Sequence, residues 1–234
     1  MIEKPVVLAI PSKGRLMEQT HELFGDVGLE ICKNGHDRGY RGSIDGLAGV
    51  EVAFLSASEI ADQLRLGHID LGITGEDLIR ELMGDAEAHL DFVKELGIGQ
   101  ADVVTAVPDC WIDVTKMSDL EDIAGLFHRE HGRRLRVATK YMNLTRRFFA
   151  QSGVAGYRIV ESLGATEGTP AAGTAEMIVD ITSTGATLRA NHLRILEDGV
   201  ILRSQAMLFA LRAAKNKMCD EVIKTILSRF KAGA

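Results

Sequence analysis

The sequence predicts an α/β fold built on a parallel sheet flanked by helices. Continuous apolar runs of strand length, such as Val6 to Ile10 and Met177 to Ile181, end abruptly at Pro11 or in a hydroxyl- and glycine-rich turn. These runs alternate with segments of helical period, and that order points to parallel strands joined by right-handed crossovers. No Pro- or Ser-rich linker interrupts the alternation, so composition alone does not place a domain boundary.

In order, Val6 to Ile10 is a strand and a helix follows from about Gly14, with Leu16, Leu23 and Phe24 among its apolar positions. Lys13 and Arg15 therefore sit where a strand hands over to a helix, the edge at which parallel sheets bind ligands. Without further information the same two charges read equally well as solvated. Lys33 to Gly49 is polar and glycine-rich, a flexible hairpin or loop that carries Arg38 and Arg41. Val50 to Leu55 is a strand, and Ser56-Ala57-Ser58-Glu59 reads as a capping box for a helix ending near Gly67. Asp70 to Thr74 is strand, Gly75 a tight turn and Glu76 to Leu82 a helix. Phe92 to Leu96, the turn Gly97-Ile98-Gly99 and the β-branched run Asp102 to Val107 come next. A second capping box is expected at Ser118-Asp119-Leu120-Glu121, opening a helix to about Glu130. Leu135 to Ala138 and Tyr157 to Val160 are strands around a helix from Tyr141 to Gln151. Val200 to Leu211 is β-rich, and Met218 to Phe230 is an amphipathic helix.

The stretch that carries chemistry runs from Glu161 to Leu193. The apolar run Met177 to Ile181 contains Asp180 and stops in Thr182, Ser183, Thr184, Gly185, Ala186 and Thr187, before a helix-like Leu188 to Leu193. Backbone N–H groups, hydroxyl donors and a helix dipole aimed at one point make an anion cradle. A carboxylate beside such a cradle repels phosphate unless it serves a sugar diol or Mg²⁺, and a phosphorylated ribose supplies both. Glu161, ending the run Tyr157 to Val160, is a second carboxylate if the two strands lie side by side. The competing reading is that Asp180 and the hydroxyls merely cap a helix.

Composition excludes several classes. The 234 residues are 46% hydrophobic and 26% charged with a formal net charge of -6, the profile of a soluble globular protein. Acidic balance and 5% aromatic content leave neither the basic surface nor the stacking platform of a nucleic-acid binder, although a local basic pocket is still compatible with them. No run approaches a membrane span and the N-terminus lacks a signal-peptide core, so a cytoplasmic location is expected. Cys32, Cys110 and Cys219 are too few and too far apart for a disulfide framework or a zinc site, and His128 with His131 sits in a charged helix end without further ligands. The absence of G-x-x-x-x-G-K-[ST] argues against a P-loop kinase. Val179 before Asp180 argues against a type I phosphoribosyltransferase, which usually has two adjacent acids there.

The pattern Ala175-Glu176-Met177-Ile178-Val179-Asp180-Ile181-Thr182-Ser183-Thr184-Gly185-Ala186-Thr187-Leu188 closely resembles the signature of the ATP phosphoribosyltransferase family, the enzymes of the first step of histidine biosynthesis. Ser12-Lys13-Gly14-Arg15, Asp70 to Asp77 and Ala138-Thr139-Lys140-Tyr141 match further family segments in the same order, across nearly the whole chain. By length the chain resembles the short form, which lacks the C-terminal regulatory domain.

The resemblance implies a two-lobe fold like that of type II periplasmic binding proteins, each lobe a mostly parallel sheet flanked by helices. The lobes are expected at 1–101 plus 191–234 and at 102–190. It implies transfer of phosphoribose from phosphoribosyl pyrophosphate to adenine N1 of ATP, with Mg²⁺ held mainly by substrate phosphates. Glu161, Asp180 and Thr182, Ser183, Thr184, Gly185, Ala186 and Thr187 are the expected phosphoribosyl pyrophosphate contacts. Lys13, Arg15, Arg38 and Arg41 are the expected catalytic cations, and Ser12, Gly75, Asp77 and Lys140 the expected ATP contacts. Many short forms have an arginine, a leaving-group contact, where this chain has Ser56, so that role passes here to Arg38 or Arg41. Expected assemblies are a homodimer, or a hetero-oligomer with a regulatory subunit resembling histidyl-tRNA synthetase that confers inhibition by histidine. A non-catalytic cytoplasmic ligand-binding protein of the periplasmic-binding type, or another phosphoribosyltransferase, is the alternative.

Overall fold

The computed structural model describes residues 5–33, 40–214 and 217–232. The chain forms two compact units, Met1–Gly99 with Gln205–Ala234, and Gln100–Ser204.

The first unit contains strands β1 (Val6–Pro11), β2 (Ile31–Lys33), β3 (Arg41–Ile44), β4 (Val50–Leu55), β5 (Leu71–Gly75) and β6 (Leu90–Glu95). Its helices are α1 (Gly14–Asp26), α2 (Ala57–Leu66), α3 (Glu76–Leu82) and α4 (Ala86–His89). The second unit holds β7 (Ala101–Pro108), α5 (Met117–His131), β8 (Leu135–Thr139), α6 (Met142–Gln151), β9 (Tyr157–Glu161), β10 (Met177–Thr182), α7 (Ala186–Ala190) and β11 (Leu193–Ser204). The chain then returns to the first unit as β12 (Ala206–Leu211) and α8 (Lys217–Ala232).

The first sheet has the order β2-β3-β4-β1-β5-β12-β6 and the second β11-β7-β10-β8-β9. Each has three adjacent parallel strands, β4-β1-β5 in the middle of one and β10-β8-β9 at one end of the other, and each inserts one reversed strand, β12 or β7, before its last neighbour. The β2–β3 pair extends the first sheet as an antiparallel hairpin on β4. Because side chains alternate along a strand, β1 sends Leu8 and Ile10 to the face covered by α1 and α8, and Ala9 to the face covered by α2 and α3. In the second unit Val103, Val137, Met177 and Val179 face α5 and α6, while Val104, Ala106, Ala138 and Ile178 face the other side with Leu188 of α7.

Helix boundaries follow their capping chemistry. The Ser56 hydroxyl accepts the Glu59 N–H at 3.3 Å and the Glu59 carboxylate accepts the Ser56 N–H at 2.8 Å, while Gly67 ends α2 in the left-handed region. The second expected box is displaced. α5 begins at Met117, its first amides are taken by Asp119 (from Thr115 and Lys116, both 2.8 Å) and by Asp198 (from Met117, 2.8 Å), and Glu121 instead accepts from Ala155 N–H at 2.7 Å. Residues 191–204, expected in the first lobe, group with the second unit because β11 pairs along β7 from Leu193 to Ser204. The β-rich run from Val200 to Leu211 is accordingly two strands in two sheets, broken at Gln205. The helix expected over Leu188 to Leu193 is the shorter α7, since β11 already starts at Leu193.

Candidate active site

In the second unit β8, β9 and β10 run parallel, so Thr139, Glu161 and Thr182 all end at one edge of the sheet. The loops that follow these strands build a pocket of about 230 Å³ whose wall includes Lys140, Glu167, Asp180, Thr182 and Thr187. The buried Thr139 hydroxyl accepts the Tyr141 N–H at 2.8 Å, which fixes the turn that presents Lys140. Asp180 is half-buried on β10, and its carboxylate accepts the Ile181 N–H at 2.8 Å. Burial raises the Asp180 pKa, and the nearby Glu167 charge adds to that rise. The Ile181 N–H and the Lys140 ammonium oppose it.

The hydroxyl loop holds its own shape. Thr182 Oγ1 accepts the Gly185 N–H at 2.9 Å and Thr184 Oγ1 accepts the Ala186 N–H at 3.3 Å. Gly185 stands at φ +70, a conformation that favours glycine, and the Arg189 guanidinium donates to the Thr184 carbonyl at 3.0 Å. Two loop amides are thus used internally. The hydroxyl oxygens of Thr182 and Thr184 accept, which leaves their O–H protons for an anion, and Ser183 and Thr187 are exposed beside them.

Glu161 does not lie alongside Asp180. Strand β8 separates β9 from β10, and Glu161 pairs in register with Thr139. The second carboxylate of the pocket wall is Glu167, on a short 3₁₀ turn from Thr166 to Gly168. That turn is held by the buried Thr166, whose hydroxyl donates to Ser162 Oγ at 3.0 Å, and it follows Ala165 at φ +50. Glu167 was not singled out from the sequence. The available signal was an acid inside the Gly- and Pro-containing turn between the two strands.

The first unit gathers a separate group at the carboxyl ends of its adjacent parallel strands β4, β1 and β5. Ser12, Lys13 and Arg15 follow β1, Ser56 follows β4, and Gly75 and Asp77 stand at the end of β5. Lys13 is exposed and its charge acts on Glu59, whose pKa is lowered first by its bonds from Ser56. A Cβ on Gly75 would meet Asp77 Oδ1 at 2.3 Å, so glycine is what lets the buried Asp77 carboxylate fold back over this turn. Arg41 lies on β3 with its guanidinium 2.7 Å from Glu51, and Ser56 is occupied as a helix cap. Arg38 lies outside the described residues. Lys140 belongs to the second unit, whereas Ser12, Gly75 and Asp77 belong to the first. Among the described residues no cluster of three or more His, Cys, Asp or Glu is arranged to hold a metal, and no helix is long and apolar enough to cross a membrane.

Comparison with known proteins places this arrangement. The ATP phosphoribosyl transferase (HisG:HisZ) complex from Thermotoga maritima superposes with a TM-score of 0.72 over 97% of each chain at 24% identity. The alkanesulfonate-binding protein SsuA from Xanthomonas axonopodis pv. citri does so with a TM-score of 0.54 over 98% of this chain and 73% of its own, at 14% identity. These likenesses show the fold, a two-unit α/β architecture of the type II periplasmic-binding-protein kind. The ATP phosphoribosyltransferase of Rhodopseudomonas palustris (strain BisB18) is 59% identical over 231 residues, covering 98% of this chain and 71% of that protein. The family model described as HisG: ATP phosphoribosyltransferase matches residues 56–232, a span that contains the whole hydroxyl loop and its pocket, and the chain belongs to the ATP phosphoribosyltransferase family.

Proposed function

We propose that the pocket at the ends of β8 and β10 holds the phosphoribosyl group of phosphoribosyl pyrophosphate, with the 5-phosphate on the hydroxyls of Thr182 to Thr187 and the ribose hydroxyls on Asp180 and Glu167. The activity is that of the family, an ATP phosphoribosyltransferase acting at the first step of histidine biosynthesis. The observation that carries the assignment is the meeting of a half-buried carboxylate, a hydroxyl loop and Lys140 in one pocket. A helix cap needs neither the lysine nor the second carboxylate.

The reaction joins adenine N1 to ribose C1 as pyrophosphate leaves, and it needs no covalent nucleophile. Catalysis therefore rests on holding two anionic substrates and on stabilising charge that develops on the leaving group. Lys140, whose charge acts on Asp180, is better matched to the phosphoribosyl side than to ATP. Lys13 and Arg15 are the exposed cations offered for polyphosphate, with Ser12, Gly75 and Asp77 beside them for ATP. Arg41 takes the role that the family gives to an arginine at the Ser56 position. Its pair with Glu51 is solvent-exposed and worth at most about 1 kcal/mol, so exchange of Glu51 for pyrophosphate costs little. Arg41→Ala is expected to lower kcat more than it raises KM, and unchanged kinetics would remove this residue from the mechanism.

Asp180 and Glu167 also fit Mg²⁺, which commonly binds one or two carboxylates and completes its shell with substrate oxygens and water. Bound there, it would neutralise charge on the pyrophosphate.

The partner reading is a regulatory subunit resembling histidyl-tRNA synthetase. A likeness to a chain of a HisG:HisZ complex supports it. One assay tests both activity and regulation. Pyrophosphate should be released from phosphoribosyl pyrophosphate and Mg²⁺ with ATP, but not with orotate or a free purine base. Histidine should inhibit only after the second subunit is added. Release with orotate instead of ATP would overturn the substrate assignment, and tight inhibition of the chain alone would overturn the partner reading.

A further inference from the structure

Residues 129–160 contain eight Lys or Arg against one acid, Glu130, in a chain of formal net charge -6. This is a basic region on an acidic protein. Arg133 and Arg136 are engaged by Glu176, and Lys140 faces the phosphoribosyl pocket. Arg134 and Arg146 are exposed, and with Tyr157 and Ile159 they line a cleft of about 360 Å³. Arg146 also donates to Asn143 Oδ1 at 3.2 Å. Exposed Arg158 pairs in register with Arg136, which Glu176 already neutralises, and by strand alternation lies on the face opposite Tyr157 and Ile159, so the charge of the cleft is that of Arg134 and Arg146.

The cleft runs along an open sheet edge, because β9 is the outermost strand of its sheet. Two bonds fix how its peptides point. Leu135 N–H donates to the Gly156 carbonyl at 3.3 Å and Ser162 N–H donates to the Thr139 carbonyl at 3.1 Å. The even-numbered residues therefore face β8, and the peptide groups of Tyr157, Ile159 and Glu161 point to the open side. Just ahead of the strand, the Glu121 carboxylate accepts the Ala155 N–H at 2.7 Å and the Gly156 N–H at 3.4 Å, so an acid already serves the amides that lead into this edge.

We infer that the β9 edge is a docking site for an extended, acidic segment of a partner protein. The segment adds to the sheet as a strand through the outward peptides of Tyr157 and Ile159, with its carboxylates against Arg134 and Arg146 and its apolar side chains in the cleft. A small anion would use the guanidinium groups but neither the edge amides nor the half-buried Tyr157 and Ile159. A nucleic acid would lack a stacking platform, since Tyr157 already packs edge-on against Phe149 at 4.8 Å. Glu161 sets the polarity by repelling acids at the far end of the strand. The inference stands independently of the phosphoribosyl assignment.

The test uses the full chain and a fluorescent peptide of about eight residues alternating Glu and Val, with a Lys-Val peptide as control. The Glu-Val peptide should bind, weaken between about 0.05 M and about 0.5 M salt, and slow hydrogen exchange at the Tyr157 and Ile159 amides. The double variant Arg134→Glu, Arg146→Glu should bind at least about tenfold more weakly with pyrophosphate release unchanged. Ile159→Pro, which removes an outward amide and no bond to β8, should also weaken binding. Absence of Glu-Val binding, equal binding of Lys-Val, or binding without protection of the two amides would overturn the proposal. So would full displacement by inorganic phosphate, which indicates a small-anion pocket, or equal capture of single-stranded DNA.

Discussion

Asp180→Asn is expected to cut kcat/KM for phosphoribosyl pyrophosphate roughly ten- to a hundred-fold or more while leaving the protein as stable as the parent, or slightly more stable, at neutral pH. The activity loss follows from removing a charge-assisted bond to a ribose hydroxyl, worth about 1.5 to 3 kcal/mol. The stability expectation follows from the opposite sign of the same charge in the unliganded fold. Burial, with Glu167 adding, lifts the Asp180 carboxyl above the ordinary 3.8. A group raised in the folded state contributes stability that is fully present below the unfolded pKa and lost as pH rises through the folded one, so ionised Asp180 opposes folding at pH 7. Asn removes that cost with the activity. The parent should also lose activity on acidification sooner than a solvated aspartate would dictate. Thr187→Ala is expected to weaken use of phosphoribosyl pyrophosphate as well, with little change in melting. Thermal melts and steady-state kinetics check this together. If both variants react like the parent but melt several degrees lower, the loop is a structural cap and the site assignment fails.

Where the fold was legible in the sequence, one short segment contained the whole signal. Val50 to Leu55, the Ser56 box, Gly67 and the helix Glu76 to Leu82 all appear as expected, because strand run, cap and stop lie within a few residues of each other. The misreadings needed partners from elsewhere. Ser118 and Glu121 have capping-box spacing, but the helix starts earlier, at Met117, where Asp119 accepts the Thr115 and Lys116 amides and the distant Asp198 accepts that of Met117. Nothing local to Leu193–Ser204 says that it pairs with β7 rather than joining the first sheet. Glu161 ends the apolar run before the motif, and only the insertion of β8 between β9 and β10 removes it from Asp180 and brings Glu167 to the pocket instead. Asp180 and the hydroxyl loop were legible because strand and turn are contiguous in sequence.

Glu176→Gln is expected to have the largest effect on stability, with little on catalysis. Glu176 immediately precedes β10, and its side chain is 12% exposed. It accepts from Arg136 Nη2 at 2.6 Å, from the Arg136 backbone N–H at 2.7 Å and from both terminal nitrogens of Arg133 at 3.0 and 3.1 Å. Burial alone would raise its pKa, but the bonds from Arg136 and Arg133 outweigh burial and bring it from 4.5 to about 2. A depressed carboxylate contributes stability that is present above about 4.5 and lost as pH falls toward 2. Converted at about 1.4 kcal/mol per unit, that contribution is at most about 3.5 kcal/mol at neutral pH, and less once solvent screening of the partly exposed arginines is counted. Gln keeps the shape and one acceptor but leaves the exposed Arg133 and the partly exposed Arg136 without their counter-charge. The melting temperature should fall by roughly 5 to 10 °C, and the acid limb of the stability profile between pH 4.5 and 2 should flatten. Below its melting temperature the variant should keep kcat/KM within a few-fold of the parent, because the rest of β10 still positions Asp180 through its pairing with β7 and β8. A Glu176→Gln protein that melts with the parent and keeps the same acid limb would mean that the two arginines are held by solvent, and that the clamp at the start of β10 contributes nothing.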